Sequence, residues 1–180
     1  FGLDLNLYRE GDRKAARARL GIPDENVVIC LRAISSTFKG LKHFVEAVTN
    51  LKTTRPVTIL SFQESGYFNH LIGRHQIVEL GWVSDDKTMI EALTAADIFA
   101  MPSTAEAFGL MAIEAMACSR PVVVFEGTSL PEVVFAPDVG IAVPMGDSEA
   151  LCRAFKRLVD DPEGRLRRGR ASREIAEKHY

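Results

Sequence analysis

Short β-branched runs and longer amphipathic runs take turns along the chain, and that alternation narrows the choice of fold more than any other feature. Val27–Leu31, Pro56–Leu60, Gln76–Leu80, Asp97–Met101, Pro121–Phe125 and Gly140–Val143 each read as a strand. They are nearly continuous in apolar residues, as strands buried on both faces of a parallel sheet must be. Between them Leu41, Phe44, Val45 and Val48 recur at i, i+3, i+4 and i+7, the spacing of one helix face. Further helices are predicted over Asp85–Ala95 and Gly109–Cys118, from an Asp147 cap to about Asp160, and from Pro162 onward. Strands separated by helices of this length imply βαβ units with right-handed crossovers. The predicted fold is therefore α/β: a doubly wound, parallel six-stranded sheet of Rossmann-like type. Ligands of such sheets lie outside the carboxyl ends of the strands, which directs attention to the loops after Leu31, Leu80, Met101 and Phe125.

A chain of 180 residues suits one domain with its own core, and the only connector-like stretch is Phe1 to Tyr8. Because it begins with Phe1 rather than Met, an upstream part is expected to be missing. The organisation read here is one domain over 1–180, with 1–8 as a linker remnant. Twenty-two Lys and Arg against 24 Asp and Glu give a net charge of −2. No general basic field exists, and no nucleic acid is expected as a partner. With 47% hydrophobic and 26% charged residues the composition is that of a folded globular chain. No apolar run approaches the roughly 18 residues of a membrane span, and no signal-like segment opens the chain. A cytoplasmic location is the expectation. Cys30, Cys118 and Cys152 form no CxxC and read as small buried hydrophobes. His43, His70, His75 and His179 show no ligand spacing, so no metal is expected.

Neither a GxGxxG after a strand nor a GxxxxGK[ST] is present, which removes the dinucleotide fingerprint and the Walker phosphate loop. The segment Pro102–Cys118 is the most specific in the chain. It places Glu106 in a strand-to-helix loop, Gly109 at a helix start and Glu114 inside an otherwise apolar helix. Gly109 admits a ligand close to the backbone, and first-turn N–H groups suit a diphosphate. Glu114 leans toward the helix amino end, and its two acceptor oxygens match a vicinal diol such as a ribose. On these residues alone a second reading stays open, in which Glu106 complements the helix dipole and Glu114 meets a buried Arg. At the end of the first strand Arg32 is followed by Lys39-Gly40, two cations bracketing one loop that can clamp a diphosphate. In the loop Glu126–Glu132, Ser129 and Glu132 read as a capping box, with Glu132 structural. Gly127 and Thr128 stay open as donor-site backbone.

Glu106–Glu114 and the Ala-Met-Ala-Cys-Ser-Arg-Pro-Val-Val that follows resemble the E-x7-E signature of retaining glycosyltransferases with the GT-B fold, the large family 4 group. Gly2-Leu3-Asp4 is similar to that family's G-V-D linker, Arg32 and Lys39-Gly40 to its phosphate Arg and K-G, and Ala96–Ser103 to its A-D-x-F-x-x-P-S. The resemblance covers nearly the whole chain. It implies the second half of a GT-B fold: a nucleotide-sugar-binding domain whose acceptor-binding amino-terminal partner domain is absent.

By the same resemblance Glu106 contacts donor-sugar hydroxyls and Glu114 holds the ribose. The backbone at Phe108, Gly109 and Leu110 faces sugar and diphosphate, while Arg32 and Lys39 stabilise charge on the leaving group. The base would lie near Gly81-Trp82-Val83. A nucleotide-diphosphate sugar, on uridine or guanosine, is the implied donor, with neither cofactor nor metal. Three departures stand out: Leu31 before Arg32, expected to restrict backbone approach; Ser119 in place of a glycine; and Ser61-Phe62 in place of a glycine pair, expected to narrow or remodel the base pocket. Two other functions use the same cradle: a nucleotide-sugar-binding module without transfer, and a GT-B epimerase or hydrolase.

Overall fold

The apolar runs form strands where the sequence places them. In the computed structural model, which describes residues 2–180, these are β1 (Val27–Ala33), β2 (Val57–Gln63), β3 (Gln76–Glu79), β4 (Ile98–Met101), β5 (Val122–Phe125) and β6 (Ile141–Val143). Phe1, the first residue of the expected linker remnant, lies outside the described residues. Neighbouring strands all pair in parallel, in the order β3-β2-β1-β4-β5-β6. The helices are α1 (Arg13–Arg19), α2 (Leu41–Asn50), α3 (Asp86–Ala95), α4 (Leu110–Ala117), α5 (Leu130–Val133), α6 (Ser148–Asp160) and α7 (Pro162–His179).

The central strands are buried on both faces, and side-chain alternation divides them between two cores. Val28 and Cys30 of β1, Phe99 of β4 and Val124 of β5 turn toward one core, which α3 and α4 cover. Ile29 and Leu31, Ala100, Val123 and Phe125 turn toward the other, under α2 and α6. Phe44 lies edge-on to Phe68 and Phe155 there, with ring centroids 5.9 and 5.5 Å apart.

At the amino edge of the sheet a buried ion pair joins the pieces. Arg17, wholly buried in α1, donates from Nη2 to Asp97 Oδ2 at 2.6 Å, from Nε to Ala95 O, and from Nη1 to Asp24 O and Asn26 O. The same Asp97 oxygen accepts the Val28 amide at 2.8 Å, and Oδ1 accepts from Arg13 at 2.9 Å. Removing one partner of such a pair costs about 3–5 kcal/mol, because the other charge is then buried without compensation.

Several local expectations are corrected. Helix α1 was not foreseen: Asp12 caps it by accepting Ala15 N at 2.9 Å, but Arg-Lys-Ala-Ala-Arg-Ala-Arg lacks a large apolar stripe. A 3-10 turn at Asn69–Leu71 and the single turn α5 are likewise too short for periodicity to show. The capping box at Ser129 and Glu132 does not form. Ser129 Oγ instead donates to Glu106 O at 3.0 Å, and Thr128 Oγ1 accepts Leu130 N at 3.1 Å. Cys30 and Cys118 are buried but Cys152 is only partly so; burial pushes the Cys118 thiol up to about 11. The connector-like stretch is fastened down. Tyr8 is buried, and Arg173 of α7 donates to both Tyr8 O (2.7 Å) and Ala117 O (2.8 Å).

Two substitutions where α7 meets the turn after α4 test this packing with opposite signs. A Cβ on Gly169 would lie 2.5 Å from Ser119 O. Gly169→Ala should therefore lose about 1–3 kcal/mol, although alanine ordinarily favours a helix. Ser119 sits at φ +62°, the left-handed region. Ser119→Gly should gain about 0.5–1 kcal/mol, the relief of left-handed strain less glycine's greater unfolded entropy. Thermal melts should show Tm falling by several degrees for the first and rising for the second.

Candidate functional site

Chain order reverses between β1 and β4: β1 leads outward to β2 and β3, and β4 leads the other way to β5 and β6. The crevice beyond their carboxyl ends is where a doubly wound sheet takes its ligand. Its walls are the β1–α2 loop and the β4–α4 loop, which press directly on each other. Gly40 has φ +66°, and a Cβ there would fall 1.8 Å from Pro102 O, so only glycine permits the approach. Thr104 N donates to Phe38 O at 2.9 Å across the same junction. This brings Lys39 Nζ to 2.7 Å from Glu106 Oε2, an ion pair spanning 67 positions of sequence.

Gly109, at φ +72°, then turns the chain into α4; a Cβ there would meet Leu130 Cδ2 at 2.6 Å. Neither α2 nor α4 has a side-chain cap. His43 N and Ala112 N turn back to the cap carbonyls of Gly40 and Gly109, and the N–H groups ahead of them in each first turn are left without an intrahelical acceptor. The cleft between the loops is about 180 Å³ in volume. Arg32, Lys39, Glu106, Phe108, Gly109 and Leu110 line it. The side chain of Arg32, exposed near the end of β1, forms no hydrogen bond or ion pair among the described residues.

The two glutamates are held in opposite electrostatic states. Burial alone would raise Glu106, but the hydrogen bond and charge of Lys39, aided by the Ala107 and Phe108 amides, keep its carboxyl below the usual range. Glu114 is raised, chiefly by burial and then by the nearby Asp86 carboxylate, with Arg32 acting against both. Its Oε2 is shut off from solvent and has no hydrogen-bond partner. The reading in which Glu114 meets a buried Arg is therefore not what the structure holds: Glu114 forms no ion pair among the described residues. A buried acceptor without a donor is costly to a resting protein and useful to one awaiting a hydroxyl.

The remaining sequence candidates lie around this centre. Gly127 and Thr128 begin the β5–α5 loop, which touches the β4–α4 loop through Ser129 Oγ and Glu106 O. Gly81, Trp82 and Val83 follow β3, at the sheet's outer edge, and do not line the Arg32 cleft. Trp82 is 77% exposed, and Val83 is buried. Ser61 and Phe62 do not reach the rim, since both are buried inside β2. The residue that does is Gln63, which sequence reasoning missed. It has φ +87°, donates from Nε2 to Val83 O at 2.9 Å, takes Gly81 O with its own amide at 2.7 Å, and keeps Oε1 buried without a donor. Tyr8 and Asp86 were missed as well. Tyr8 Oη bonds Asp86 Oδ1 at 3.1 Å, and burial together with the Glu114 charge raises the phenol. Only Tyr8's placement in a supposed connector hinted that something should anchor it.

Residues 12–175 match the model of the family described as glycosyl transferases group 1. A D-inositol 3-phosphate glycosyltransferase of Saccharomonospora viridis is 33% identical, over 98% of this chain and 45% of its own. A GDP-mannose-dependent monoacylated alpha-(1-6)-phosphatidylinositol monomannoside mannosyltransferase of Corynebacterium glutamicum is 30% identical, over 99% and 51%. Among solved structures, a sucrose-phosphate synthase of Thermosynechococcus elongatus aligns at a TM-score of 0.82 with 25% identity, covering 98% of this chain and 46% of that one. Anabaena HepE, crystallised with UDP-glucose, aligns at 0.83 with 25% identity, covering 99% and 52%. The chain spans about half the length of the curated relatives it matches. No helix among the described residues is long and apolar enough to cross a membrane.

The unpartnered Glu114 yields a stability test. Its folded pKa is raised, so the stability it contributes is complete below the unfolded value, about 4.3, and is lost as pH rises through the folded one. Glu114→Gln, which cannot ionise, should melt at a higher temperature than the parent at neutral pH, and the difference should close as pH falls below about 4. An ion pair with Arg would give the reverse, a lower Tm at neutral pH.

Proposed function

The chain belongs to the glycosyl transferases group 1 family, and from that premise we propose that it is the donor-binding half of a retaining glycosyltransferase of GT-B architecture. The single observation that carries the assignment is the convergence of Arg32, Lys39 and Glu106 with the uncapped start of α4 on one cleft at the sheet's reversal point. A nucleotide-diphosphate sugar meets each of these groups with a matching chemistry. Its diphosphate lies against the α4 amides, takes a bidentate contact from Arg32, and competes for Lys39. Glu106, released from part of that pair but still ionised, accepts from sugar hydroxyls. Glu114 accepts from the ribose diol with the oxygen that has no partner in the resting chain.

As the bond from sugar to diphosphate breaks, negative charge grows on the departing oxygen. Arg32 and Lys39 line the cleft where it appears and so stabilise the transition state more than the ground state. On this reading the two side-chain cations do the work that a divalent ion does in other transferases. The Gly81–Val83 loop and Gln63 border the place for the base, Gln63 holding the backbone carbonyls there. Relatives about twice as long as this chain support a second, upstream half that supplies the acceptor. HepE's complex with UDP-glucose and a GDP-mannose-dependent relative support both uridine and guanosine diphosphate sugars as donors to try.

Calorimetry of the chain with UDP and GDP against uridine and guanosine tests the clamp. The matching diphosphate should bind far more tightly than its nucleoside, and EDTA should leave its affinity unchanged. Equal binding of nucleoside and diphosphate would refute the clamp. Glu114→Ala should weaken nucleotide binding itself, whereas Glu106→Ala should mainly weaken the sugar conjugate, each by about 1.5–3 kcal/mol.

Transfer needs both halves of the site. The chain alone should bind donor yet transfer no detectable sugar, and restoring an upstream half should recover transfer, since positioning two reactants is worth about 7–11 kcal/mol. A labelled donor offered to both proteins with a panel of acceptors reads the difference.

A further inference from the structure

The edge of the sheet opposite the donor cleft holds a second recess, about 420 Å³ in volume, which the proposed reaction leaves unused. Five arginines line it: Arg13, Arg55, Arg120, Arg165 and Arg170. In a chain of net charge −2 this is a concentrated positive field. The carboxylate best placed to neutralise it, Asp97, is already committed to Arg17, Arg13 and the Val28 amide. Glu10 and Asp24 stand exposed at the rim and pair with none of the five. Among the described residues, Arg55, Arg120, Arg165 and Arg170 form no ion pair.

Holding the fold together accounts for only part of these guanidinium groups. Arg120 donates to Cys118 O and Ala96 O, Arg165 from Nη1 to Leu158 O and Val159 O, and Arg55 from Nη2 to Glu25 O. A guanidinium has five N–H donors, so most of them are left over. Arg120 and Arg165 are more than nine-tenths buried, 6% and 7% exposed, and therefore held rigidly. Burial lowers Arg165; the Asp97 carboxylate acts against that, and the charges of Arg55, Arg13 and Arg17 lower it further. Arg13 Nε is shut off from solvent with no acceptor. Fixed forks with spare donors, in a recess large enough for a small molecule, make an acceptor site for a multiply charged oxyanion.

We propose that this amino-edge recess is a second anion site, which takes a phosphate ester or diphosphate group independently of the donor cleft. The phosphoryl group would sit among Arg120, Arg165 and Arg170, with Arg13 and Arg55 at its margin.

The test uses the isotopically labelled chain carrying Arg32→Ala and Lys39→Ala, which remove the two side-chain cations of the donor cleft, titrated with inorganic pyrophosphate and with glycerol 3-phosphate at physiological salt. Saturable amide shifts are expected around Arg13, Arg55, Ser119–Pro121 and Arg165–Arg170. Arg170→Glu, at an exposed residue without a hydrogen bond, should weaken them about tenfold or more; Arg55→Gln should weaken them less. Vesicles containing phosphatidic acid, compared with neutral ones, distinguish a lipid headgroup from a free ester, and binding in either arm supports phosphoryl recognition. The proposal is overturned if neither arm binds at this edge, if sulfate and chloride shift the same amides equally, or if a correctly folded Arg170→Glu chain binds as tightly as its parent.

Discussion

The buried carboxylate of Asp97 is the contact on which the rest of the architecture depends. It stands at the amino end of β4, accepts the Val28 amide of β1, and holds Arg17, whose remaining donors reach the end of α3 and the loop before β1. Burial works against the Arg17 charge, and Asp97 offsets that in part. One charge pair thus fixes the two strands between which the chain reverses direction. At the other end of the same two strands the β1–α2 and β4–α4 loops meet, Thr104 N donating to Phe38 O. The 2.7 Å contact of Lys39 with Glu106 is made by the loops that leave those same two strands.

Within the crevice, two carboxylates from one nine-residue stretch carry different burdens. Glu106 is paired and ionised, and Glu114 is half-buried near another carboxylate, with Oε2 shut off from solvent and satisfied by no donor. Both environments follow from position. Glu106 lies in the loop, within reach of the neighbouring loop's lysine; Glu114 lies one turn into a helix that is otherwise apolar and packed. Gln63 repeats the pattern at the outer strands, strained at φ +87° and with Oε1 unpaired. Local rules of backbone and hydrogen bonding are thus broken together along the carboxyl edge, where a ligand would complete the missing contacts.

The sheet was legible because each of its strands is built around a short apolar run, and the helices α2, α3, α4, α6 and α7 because they carry stripes, caps or an initial proline. Helix α1 was not, since its stability comes from Asp12 and from what Arg17 does at a distance, and no window of sequence contains Asp97. The candidates Arg32, Lys39 and Glu106 could be placed on one edge by counting strands. Their meeting in a single cleft needed the order in which those strands lie side by side. Tyr8 and Asp86 escaped notice because they reach Glu114 only through tertiary packing. Ser119 was visible as a departure, but only its φ of +62° gives the departure a physical meaning.

The anchoring of the first residues has a mechanical consequence. Leu5 and Tyr8 offer their carbonyls to Arg173, which also grips the last turn of α4, and the Tyr8 hydroxyl reaches Asp86 beside Glu114. These residues are therefore part of the rigid body rather than a flexible tether. A displacement of Leu5 or Tyr8 is therefore felt at the last turn of α4, the helix whose other end forms one wall of the crevice, and through Asp86 at the start of α3.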